Sequence, residues 1–411
     1  MARDWPQLPV FQSEEDAAEA APEGWTVRQI EDVFEKLDIG KRFDQKACSG
    51  NGRVPVVDQS ADGFVGFHDE EPGVSASKEK PVITFANHTC EMRVMRRPFS
   101  VIQNVFPMVG KRAVSETLFF YYATKGRVHL EEYKGHYPDF RRLWIPLPPL
   151  AEQKAIAAVL GALDDKIEVN RRMNATLEAM ARALFQRWFV DFDPVRAKLD
   201  PAPAGPTLDP ATAALFPDTF QDSTAGHIPS GWRVMKVSEF IERLSVGQKY
   251  EQKTVSPVGK VPVLDQGKSG VIGFHNNEPG VTATLDKPVA VFANHTCYMR
   301  LITYSFSAIQ NVLPFVGSVV DTFWAYYATE GRLSFSEYKG HWPDFVIQES
   351  VVPPRELTDA FGRLAKPLVA QVRNNEEESR TLATLRDTLL PKLLSGELSV
   401  VAASATMEAS A

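Results

Sequence analysis

The chain has 411 residues, of which 44% are hydrophobic, 24% charged and 10% aromatic, and its formal net charge is −7. This length is too great for one ordinary hydrophobic core and predicts two or more domains, and the composition is that of a folded, soluble protein. The acidic balance argues against a protein coated with nucleic acid. A local patch stays open, because residues 78–142 hold 12 Lys and Arg against 6 Asp and Glu.

Cysteine content and hydropathy bear on the compartment. Three cysteines are too few for a disulfide framework, which indicates a reducing environment. Acids and prolines interrupt the first 21 residues, so they lack the pattern of a secretory leader. The longest apolar runs fall short of the roughly 20 residues that a bilayer-spanning helix needs. We therefore expect a cytoplasmic protein with no membrane partner.

An internal duplication organises the sequence. The segment PVITFANHTCEMR (81–93) recurs as PVAVFANHTCYMR (288–300), with ten of thirteen letters identical. The shift is 207 residues there and 205 beyond Val312, where YYATKGR (121–127) recurs as YYATEGR (326–332). Because solenoid and propeller repeats are only about 20 to 50 residues long, each of these units should be a self-sufficient domain.

The first part of each unit predicts a mixed α/β or mostly β globule. Its β-branched and aromatic residues are broken by turn signals rich in Gly, Pro and Asn. The alternation in residues 82–94 predicts a strand pair or one long bent strand with one buried face. In alternating strand geometry His88 and Cys90 would face one side, and Asn87 and Thr89 the other.

The second part of each unit predicts a long helix with a coiled-coil seam. The seam positions recur every seven residues and are Ile156, Leu163, Asn170, Leu177 and Leu184 in the first copy, and Phe361, Leu368, Asn375, Leu382 and Leu389 in the second. Neighbouring apolar positions add Val159, Leu160, Ile167, Met173 and Met180, and then Leu364, Val372 and Leu385. Each helix would run about 40 residues, or roughly 60 Å, and we expect its twin to be its partner.

The central Asn of each seam predicts a contact that sets the register. In an antiparallel pair the third of five seam positions lies at the pseudo-symmetric centre, so Asn170 and Asn375 should approach each other. The alternative is that each Asn faces solvent on a wide apolar stripe.

The segment between the units, residues 191–226, predicts a connector. It is rich in proline and small residues, which is typical of an extended and semi-rigid chain. Such a connector would let the second globule reach the far end of the helix pair.

Four segments at the boundaries of these elements carry a family pattern. They are LPPLAEQKAI (147–156), KIEVNRRMNATLEAMARALFQRWFVDFDPV (166–195), HIPSGW (227–232) and LRDTLLPKLLSGEL (385–398). They resemble the specificity (S) subunit of type I restriction-modification systems, and the resemblance covers nearly the whole chain. The second copy departs from the pattern at residues 351–361, which keep a Pro pair but lack the Ala-Glu-Gln-Lys run.

The resemblance implies a mixed α/β fold with an internal pseudo-two-fold repeat. In that fold two globular target recognition domains are separated by two long antiparallel coiled-coil helices. The implied segments are an N-terminal tail (1–20), target recognition domain 1 (21–150), spacer helix 1 (151–192), a proline-rich linker (193–226), target recognition domain 2 (227–355), spacer helix 2 (356–398) and a C-terminal tail (399–411).

The resemblance also implies a role in phage defence. Each recognition domain would read one half of a split target in double-stranded DNA. The helix pair would set the spacer and dock two methyltransferase (modification) subunits, and restriction (motor-nuclease) subunits would join the larger assembly. The chain itself would be non-catalytic and bind no cofactor, with S-adenosylmethionine, ATP and Mg held by partner subunits. The complex would methylate adenine and, with restriction subunits, act as an ATP-dependent endonuclease.

Catalytic and metal-binding patterns are incomplete in this sequence. A base methyltransferase needs a glycine-rich cofactor loop and, for adenine, an Asn-Pro-Pro-aromatic motif, and we find neither. A nuclease-like set of Asp139, Glu152 and Lys154 has no full equivalent in the second copy. The His-x-Cys pair of each FANHTC segment offers zinc only two ligands. A scaffold that bridges other proteins and an enzyme that acts alone remain the alternative interpretations.

Polar residues shared by both copies are the candidate DNA contacts. Gln, Asn and His are suited to base edges, and Lys and Arg to phosphates. The candidates are Gln45, Lys46, Gln59, His68, Asn87, His88, Arg93, Gln103, Asn104, Lys134 and His136 in the first copy, and Gln252, Lys253, Gln266, His275, Asn294, His295, Arg300, Gln310, Asn311, Lys339 and His341 in the second. For any one of them the alternative is a turn-forming or buried hydrogen-bonding role. Similar globules on an antiparallel helix pair predict identical or nearly identical half-sites in inverted orientation.

Overall fold

The computed structural model describes residues 5–60, 63–128, 134–199, 208–267, 270–335 and 337–403. The chain divides into two compact units. Within the described residues, the N-unit comprises residues 5–169 and 378–403, and the C-unit comprises residues 170–377. Each unit therefore combines one copy of the repeated globule with part of both long helices.

In its described residues the globule of the N-unit contains nine strands and four short helices. In chain order the elements are α1 (Glu14–Glu19), β1 (Thr26–Gln29), α2 (Ile30–Val33), β2 (Phe34–Lys36), a 3₁₀ turn (Gln45–Ala47), β3 (Val54–Val57), β4 (Phe64–His68), β5 (Val82–Ala86), β6 (Met92–Met95), β7 (Ser100–Val101), β8 (Val105–Gly110), α3 (Thr117–Thr124), α4 (Tyr137–Arg142) and β9 (Trp144–Leu147). They form a four-stranded sheet of order β2-β8-β5-β6, a three-stranded sheet of order β4-β3-β7 and a β1-β9 pair.

The first long helix, α5 (Leu150–Phe189), leads into the elements of the second copy. These are α6 (Asp193–Leu199), α7 (Pro210–Ala214), β10 (Phe220–Ser223), β11 (Gly226–Pro229), β12 (Arg233–Lys236), α8 (Val237–Phe240), β13 (Ile241–Arg243), β14 (Lys249–Tyr250), a 3₁₀ turn (Gln252–Thr254), β15 (Val261–Leu264), β16 (Val271–His275), β17 (Val289–Ala293), β18 (Met299–Ile302), β19 (Ser307–Ile309), β20 (Val312–Gly317), α9 (Thr322–Thr329), α10 (Trp342–Val346), β21 (Glu349–Val352) and the second long helix α11 (Arg355–Leu394). Two four-stranded sheets, of order β13-β20-β17-β18 and β14-β19-β15-β16, repeat the arrangement of the first globule.

The central strand of the larger sheet explains the apolar run before FANHTC. Every residue of β5 is buried, because the strand pairs antiparallel with both β6 and β8 and helices cover the sheet. The chain then turns at residues 87–91, where Cys90 has a φ of 59° and its N–H donates to the carbonyl of Ala86 at 2.9 Å. The strand-pair prediction describes this hairpin, whereas the alternating-face geometry for residues 87–90 is wrong because they form the turn.

Segments of both long helices enter the core of each unit. In the N-unit Ile156 and Leu160 of α5 share the core with Leu389 and Leu393 of α11. In the C-unit the end of α5 and the start of α11 share the core, as the contact of Phe361 with the rings of Phe185 and Phe189 illustrates. The beginning of one helix thus packs with the end of the other in each unit, so the segments run antiparallel. The predicted fold class, a mixed α/β chain with two globular domains and two long helices, is confirmed.

The helix seam is narrower than the sequence pattern indicates. Of the ten heptad positions, Ile156, Leu163, Asn170, Phe361, Asn375 and Leu389 are buried, and Leu177, Leu184, Leu368 and Leu382 are partly buried. Three of the neighbouring apolar residues are exposed instead: Met173 at 41%, Met180 at 53% and Leu364 at 45%. They lie outside the packed stripe, because a 3.6-residue turn carries flanking positions toward solvent.

Buried amides mark the middle of the helix pair, within the C-unit. Asn170 is fully buried, and its Nδ2 lies 3.4 Å from the carbonyl oxygen of Asn375. The side chain of Asn375 donates to Oδ1 of Asn174 at 2.7 Å and accepts from Gln371 at 2.8 Å. These bonds satisfy polar groups that would otherwise be costly to bury.

The connector between the copies is folded where the structure describes it. Residues 200–207 lie outside the described residues, as do the last eight residues of the predicted C-terminal tail. Phe192, Val195 and Phe216 are buried in the core of the C-unit, and β10 and β11 form a hairpin. The prediction of an extended chain is wrong for these parts, because their apolar residues bury surface despite the prolines between them.

Within the described part of the chain, no helix has both the length and the apolar character needed to cross a membrane.

Candidate nucleic-acid interface

Four segments of each globule meet at one place, which we call the loop junction. In the N-unit these are the β3–β4 loop from residue 58, the β5–β6 turn (87–91), the β7–β8 turn (102–104) and the segment before α4 (134–136). The equivalents in the C-unit begin at residues 265, 294, 309 and 339. Loops at the ends of strands are exposed and free of regular pairing, and such positions carry binding residues in many folds.

The first Asn of the motif holds three of these segments together. The N–H of Asn87 donates to the carbonyl of Asn104 at 2.9 Å, and its carbonyl accepts from the N–H of His136 at 2.8 Å. Its Oδ1 accepts from the N–H of Tyr137 at 2.9 Å. A Cβ on Gly135 would approach Nδ2 of Asn87 to 2.8 Å, so the close approach requires glycine there.

The same three bonds recur in the C-unit. Asn294 donates to the carbonyl of Asn311 at 2.9 Å and accepts from the N–H of His341 at 2.8 Å. Its Oδ1 accepts from the N–H of Trp342 at 2.8 Å. Asn87 and Asn294 therefore stabilise the loop junction through hydrogen bonds within the protein, and their side-chain oxygens accept backbone N–H groups.

Gln59 and Arg93 fix the β3–β4 loop to the turn. Oε1 of Gln59 accepts from the N–H of His88 at 3.0 Å, and its carbonyl accepts from Oγ1 of Thr89 at 2.7 Å. The guanidinium of Arg93 donates to the carbonyl of Ser60. Both residues were predicted to contact DNA, and their geometry favours holding the loop instead.

Gln266 and Arg300 repeat these contacts in the C-unit. Oε1 of Gln266 accepts from the N–H of His295 at 2.9 Å. The guanidinium of Arg300 donates to the carbonyl of Gly270 at 2.6 Å and to that of Asp265. Burial lowers the pKa of Arg300, and the nearby Asp265 carboxylate opposes that effect.

The histidines of the motif have ordered rings. Nδ1 of His88 lies 3.0 Å from the carbonyl of Lys134, and Nδ1 of His295 lies 2.9 Å from that of Lys339. A carbonyl can only accept, so Nδ1 carries the proton in both rings. The ring of His295 stacks on Tyr338 at 4.9 Å between centroids and 5° between planes.

His68 and His275 lie away from the junction and are buried. Nε2 of His68 bonds Oγ of Ser100 at 2.9 Å, its Nδ1 accepts from the N–H of Glu70 at 3.1 Å, and the ring stacks on Phe43. Burial lowers the pKa of His275, which favours its neutral ring. These histidines stabilise the ends of β4 and β16. Both ring nitrogens of His68 are engaged internally, and this geometry favours the structural alternative to DNA contact.

His136 and His341 are also buried, at the starts of α4 and α10. Nε2 of His341 lies 3.1 Å from the carbonyl of Glu337. A buried ring at the start of a helix packs against the interior side of the loop junction. This geometry favours a buried structural role over DNA contact for both residues.

The remaining Gln and Lys candidates are exposed, and Asn104 and Asn311 are partly buried. Gln103 and Gln310 lie at the tips of the β7–β8 and β19–β20 turns, where the following Asn104 and Asn311 adopt positive φ. Lys134 and Lys339 lie on the segment before α4 and α10. Gln45, Lys46, Gln252 and Lys253 lie on the 3₁₀ turns, which precede β3 and β15 and are not among the four segments of the junction.

The surroundings of the motif cysteines raise the pKa of both thiols. Burial, with the Asp139 and Glu91 carboxylates, raises the pKa of Cys90 to about 11, and burial also raises the pKa of Cys297. The thiolate is the form that binds metals, so this environment disfavours it. The described residues contain no group of three or more His, Cys, Asp or Glu side chains that could hold a metal ion.

Two aromatic residues near the C-unit junction were missed by the sequence analysis. Tyr338 is 83% exposed, and Tyr298, also exposed, follows the motif where the first copy has Glu91. The signals were available: Tyr338 belongs to the repeated YKGH segment, and position 298 is the one letter that changes within the FANHTC-x-MR stretch. Tyr133, the counterpart of Tyr338, lies outside the described residues.

Comparison with known proteins finds similarity to type I specificity subunits. Residues 22–179 match the family described as the type I restriction modification DNA specificity domain. Over these residues the chain is similar to the specificity domain of type I restriction-modification systems. The type I restriction enzyme MjaIX specificity subunit of Methanocaldococcus jannaschii is 24% identical over 332 residues, which cover 72% of this chain and 72% of that protein. The HindI specificity subunit of Haemophilus influenzae is 25% identical, over 62% of this chain and 69% of that protein.

A solved structure supports the fold of this chain. The crystal structure of a type I restriction-modification S subunit from M. genitalium covers 90% of this chain and 96% of its own, with a TM-score of 0.55 and 16% identity. At this level of identity the likeness bears on the fold alone.

Proposed function

We propose that each unit reads one half of a bipartite DNA target through its loop junction. The observation that carries the proposal is the repetition: four segments joined by the same hydrogen bonds occur twice in one chain. A binding surface needed once gives no reason for a second copy, whereas a split target needs two. Within each junction Gln103 and Gln310 are the proposed base readers, because amide side chains suit base edges and these two are exposed.

We further propose that the half-sites are nearly identical inverted repeats. Support comes from the residue-by-residue equivalence of the two junctions and from the antiparallel helix segments within each unit. In this proposal the helix pair sets the spacer and docks two methyltransferase subunits, and restriction subunits join the full complex. The chain supplies recognition in the cytoplasm, while S-adenosylmethionine, ATP and Mg act in the partner subunits.

Mapping of methylated bases tests this proposal. Cells that express the chain with its methyltransferase should carry methyl-adenine at a split motif whose halves are inverted and alike. Deletion of the gene for this chain should remove that methylation, and a catalytically inactive methyltransferase is the matched control. Two unrelated half-sites would reject the inverted repeat alone. Unchanged methylation after the deletion would reject the recognition role.

Salt dependence should separate free lysines from paired ones. Lys46 is exposed and forms no ion pair among the described residues, whereas Lys339 pairs with Glu337 at 3.0 Å and with Asp344 at 3.2 Å. We propose Lys46 as a phosphate contact outside the loop junction, so Lys46→Gln should reduce the slope of log affinity against log salt by about one. Lys339→Gln should change it by less, because its two carboxylates already offset its charge. Titration of the assembled complex with DNA at several salt concentrations measures both, and equal slopes for the two variants would contradict the prediction.

A further inference from the structure

The two loop junctions differ at one imidazole nitrogen. Because Nδ1 of each motif histidine donates to a backbone carbonyl, Nε2 of the neutral ring presents a lone pair. In the N-unit Nδ2 of Asn104 lies 3.2 Å from Nε2 of His88 and donates to it. In the C-unit, none of the residues that the structure describes forms a hydrogen bond with Nε2 of His295.

The surroundings of His295 keep this lone pair oriented. Oε1 of Gln266 accepts a hydrogen bond from the backbone N–H of His295 at 2.9 Å, and the Lys339 carbonyl accepts one from Nδ1. Tyr338 covers one face of the ring in a parallel stack. The side-chain amide of Asn311, the counterpart of Asn104, also has no hydrogen-bond partner among the described residues. An ordered acceptor is thus left available beside an amide and an exposed aromatic ring.

We propose that Nε2 of His295 reads one base of the second half-site by accepting a hydrogen bond from an exocyclic amino group. This inference rests on the proposed function of the C-unit. In the major groove the donors are N6 of adenine and N4 of cytosine, while guanine O6, thymine O4 and purine N7 are acceptors that repel a lone pair. Each base pair carries one such amino group on one strand. The contact therefore distinguishes A·T from T·A, and C·G from G·C.

The N-unit does not offer the same acceptor. Its equivalent nitrogen is already occupied by Asn104, and a base could take that place only by displacing the amide. The two half-sites consequently differ in how one position is read, although the junctions share their framework. The duplicated chain thus supplies its own matched control, because His88 has the same neighbours in sequence and a different bond at Nε2.

Removal of single amino groups from the DNA tests the contact. The full chain, assembled with its methyltransferase, is titrated with duplexes that carry the mapped target. In each duplex one adenine is replaced by purine, or one cytosine by 2-pyrimidinone. For the wild-type complex, one replacement in the second half-site should weaken binding about tenfold, the order expected when a polar partner loses its hydrogen bond.

In the His295→Ala complex, the base replacement that weakened wild-type binding should no longer do so. The effects of the other base replacements on affinity should stay unchanged. At the identified position the replacement should then weaken binding by less than about twofold. His88→Ala should make no position of the first half-site insensitive, because its ring nitrogen bonds within the protein. Tyr338→Ala preserves the hydrogen bonds of the turn and should reduce the same single cost, so it carries the test if His295→Ala disturbs folding.

The outcomes separate this contact from the proposed function. If each base replacement weakens binding equally in the wild-type, His295→Ala and Tyr338→Ala complexes, that result would overturn the contact and leave the recognition role intact. A single insensitive position created by His88→Ala would overturn the difference between the units. A wild-type complex with no sequence preference would reject the recognition role itself.

Discussion

Phe361→Ala should lower the free energy of unfolding of the C-unit by about 3–5 kcal/mol, the range for truncating a buried aromatic residue. Phe361 is fully buried, and its ring lies 5.7 Å from that of Phe185, 5.5 Å from that of Phe189 and 5.5 Å from that of Tyr327. These neighbours come from α5 and α9, so the cavity would open where the helix pair meets the globule. Hydrogen exchange read by mass spectrometry, peptide by peptide, measures the loss in each unit separately.

Leu364→Ala is the matched control on the same helix. The sequence pattern assigns Leu364 to the apolar stripe, yet its side chain is 45% exposed. Its truncation leaves little cavity and should cost about 1 kcal/mol or less. Similar losses of exchange protection for the two variants would contradict the packing of the seam.

Asn294→Ala should weaken binding to the second half-site by about tenfold or more. The substitution removes the acceptor of the Trp342 N–H, and an amide that loses its partner costs about 1–3 kcal/mol. It also loosens the segment that carries Lys339 and Tyr338, so the proposed contacts lose their common support. Affinity of the assembled complex for duplexes with one altered half-site, and hydrogen exchange of residues 337–346, measure the two effects.

Asn294→Asp separates support from direct contact. An Asp side chain keeps an oxygen acceptor for the Trp342 N–H, so exchange protection in residues 337–346 should stay close to that of the wild type. Asn87→Ala should reproduce the Asn294→Ala effect at the first half-site, where Tyr137 takes the place of Trp342. A loss of binding in Asn294→Ala with unchanged exchange protection would assign Asn294 a direct DNA contact instead of the supporting role.

Elements with a local period were predictable from the sequence. The two long helices follow from heptad spacing, and in the structure they span Leu150–Phe189 and Arg355–Leu394. The proline-rich connector shows the limit of such reasoning. Its composition predicts an extended chain, but Phe192, Val195 and Phe216 are buried in the core of the C-unit. Tertiary packing overrides the local preference because burial of these side chains is favourable.

The sequence identified the shared polar residues of the candidate site, but it did not identify their hydrogen-bond partners. A polar residue shared by the two copies indicates a shared role at that position. It does not show whether the role is a DNA contact or a hydrogen bond within the protein. Gln59 reaches the N–H of His88 across 29 residues, and Asn87 reaches that of Tyr137 across 50. No spacing rule connects such partners, because the path of the chain brings them together.

The sequence by itself determined the duplication, the helix pair and the resemblance to type I specificity subunits, because each depends on patterns within short stretches or on direct identity between them. Only the tertiary structure decided that FANHTC ends a buried strand and forms a turn bonded to three other segments. It also decided that Asn87 and Asn294 bond inward, and that Nε2 is occupied in His88 and available in His295. Hydrogen-bond partners depend on distances and directions between remote residues. Those distances are set when the sheets and helices pack.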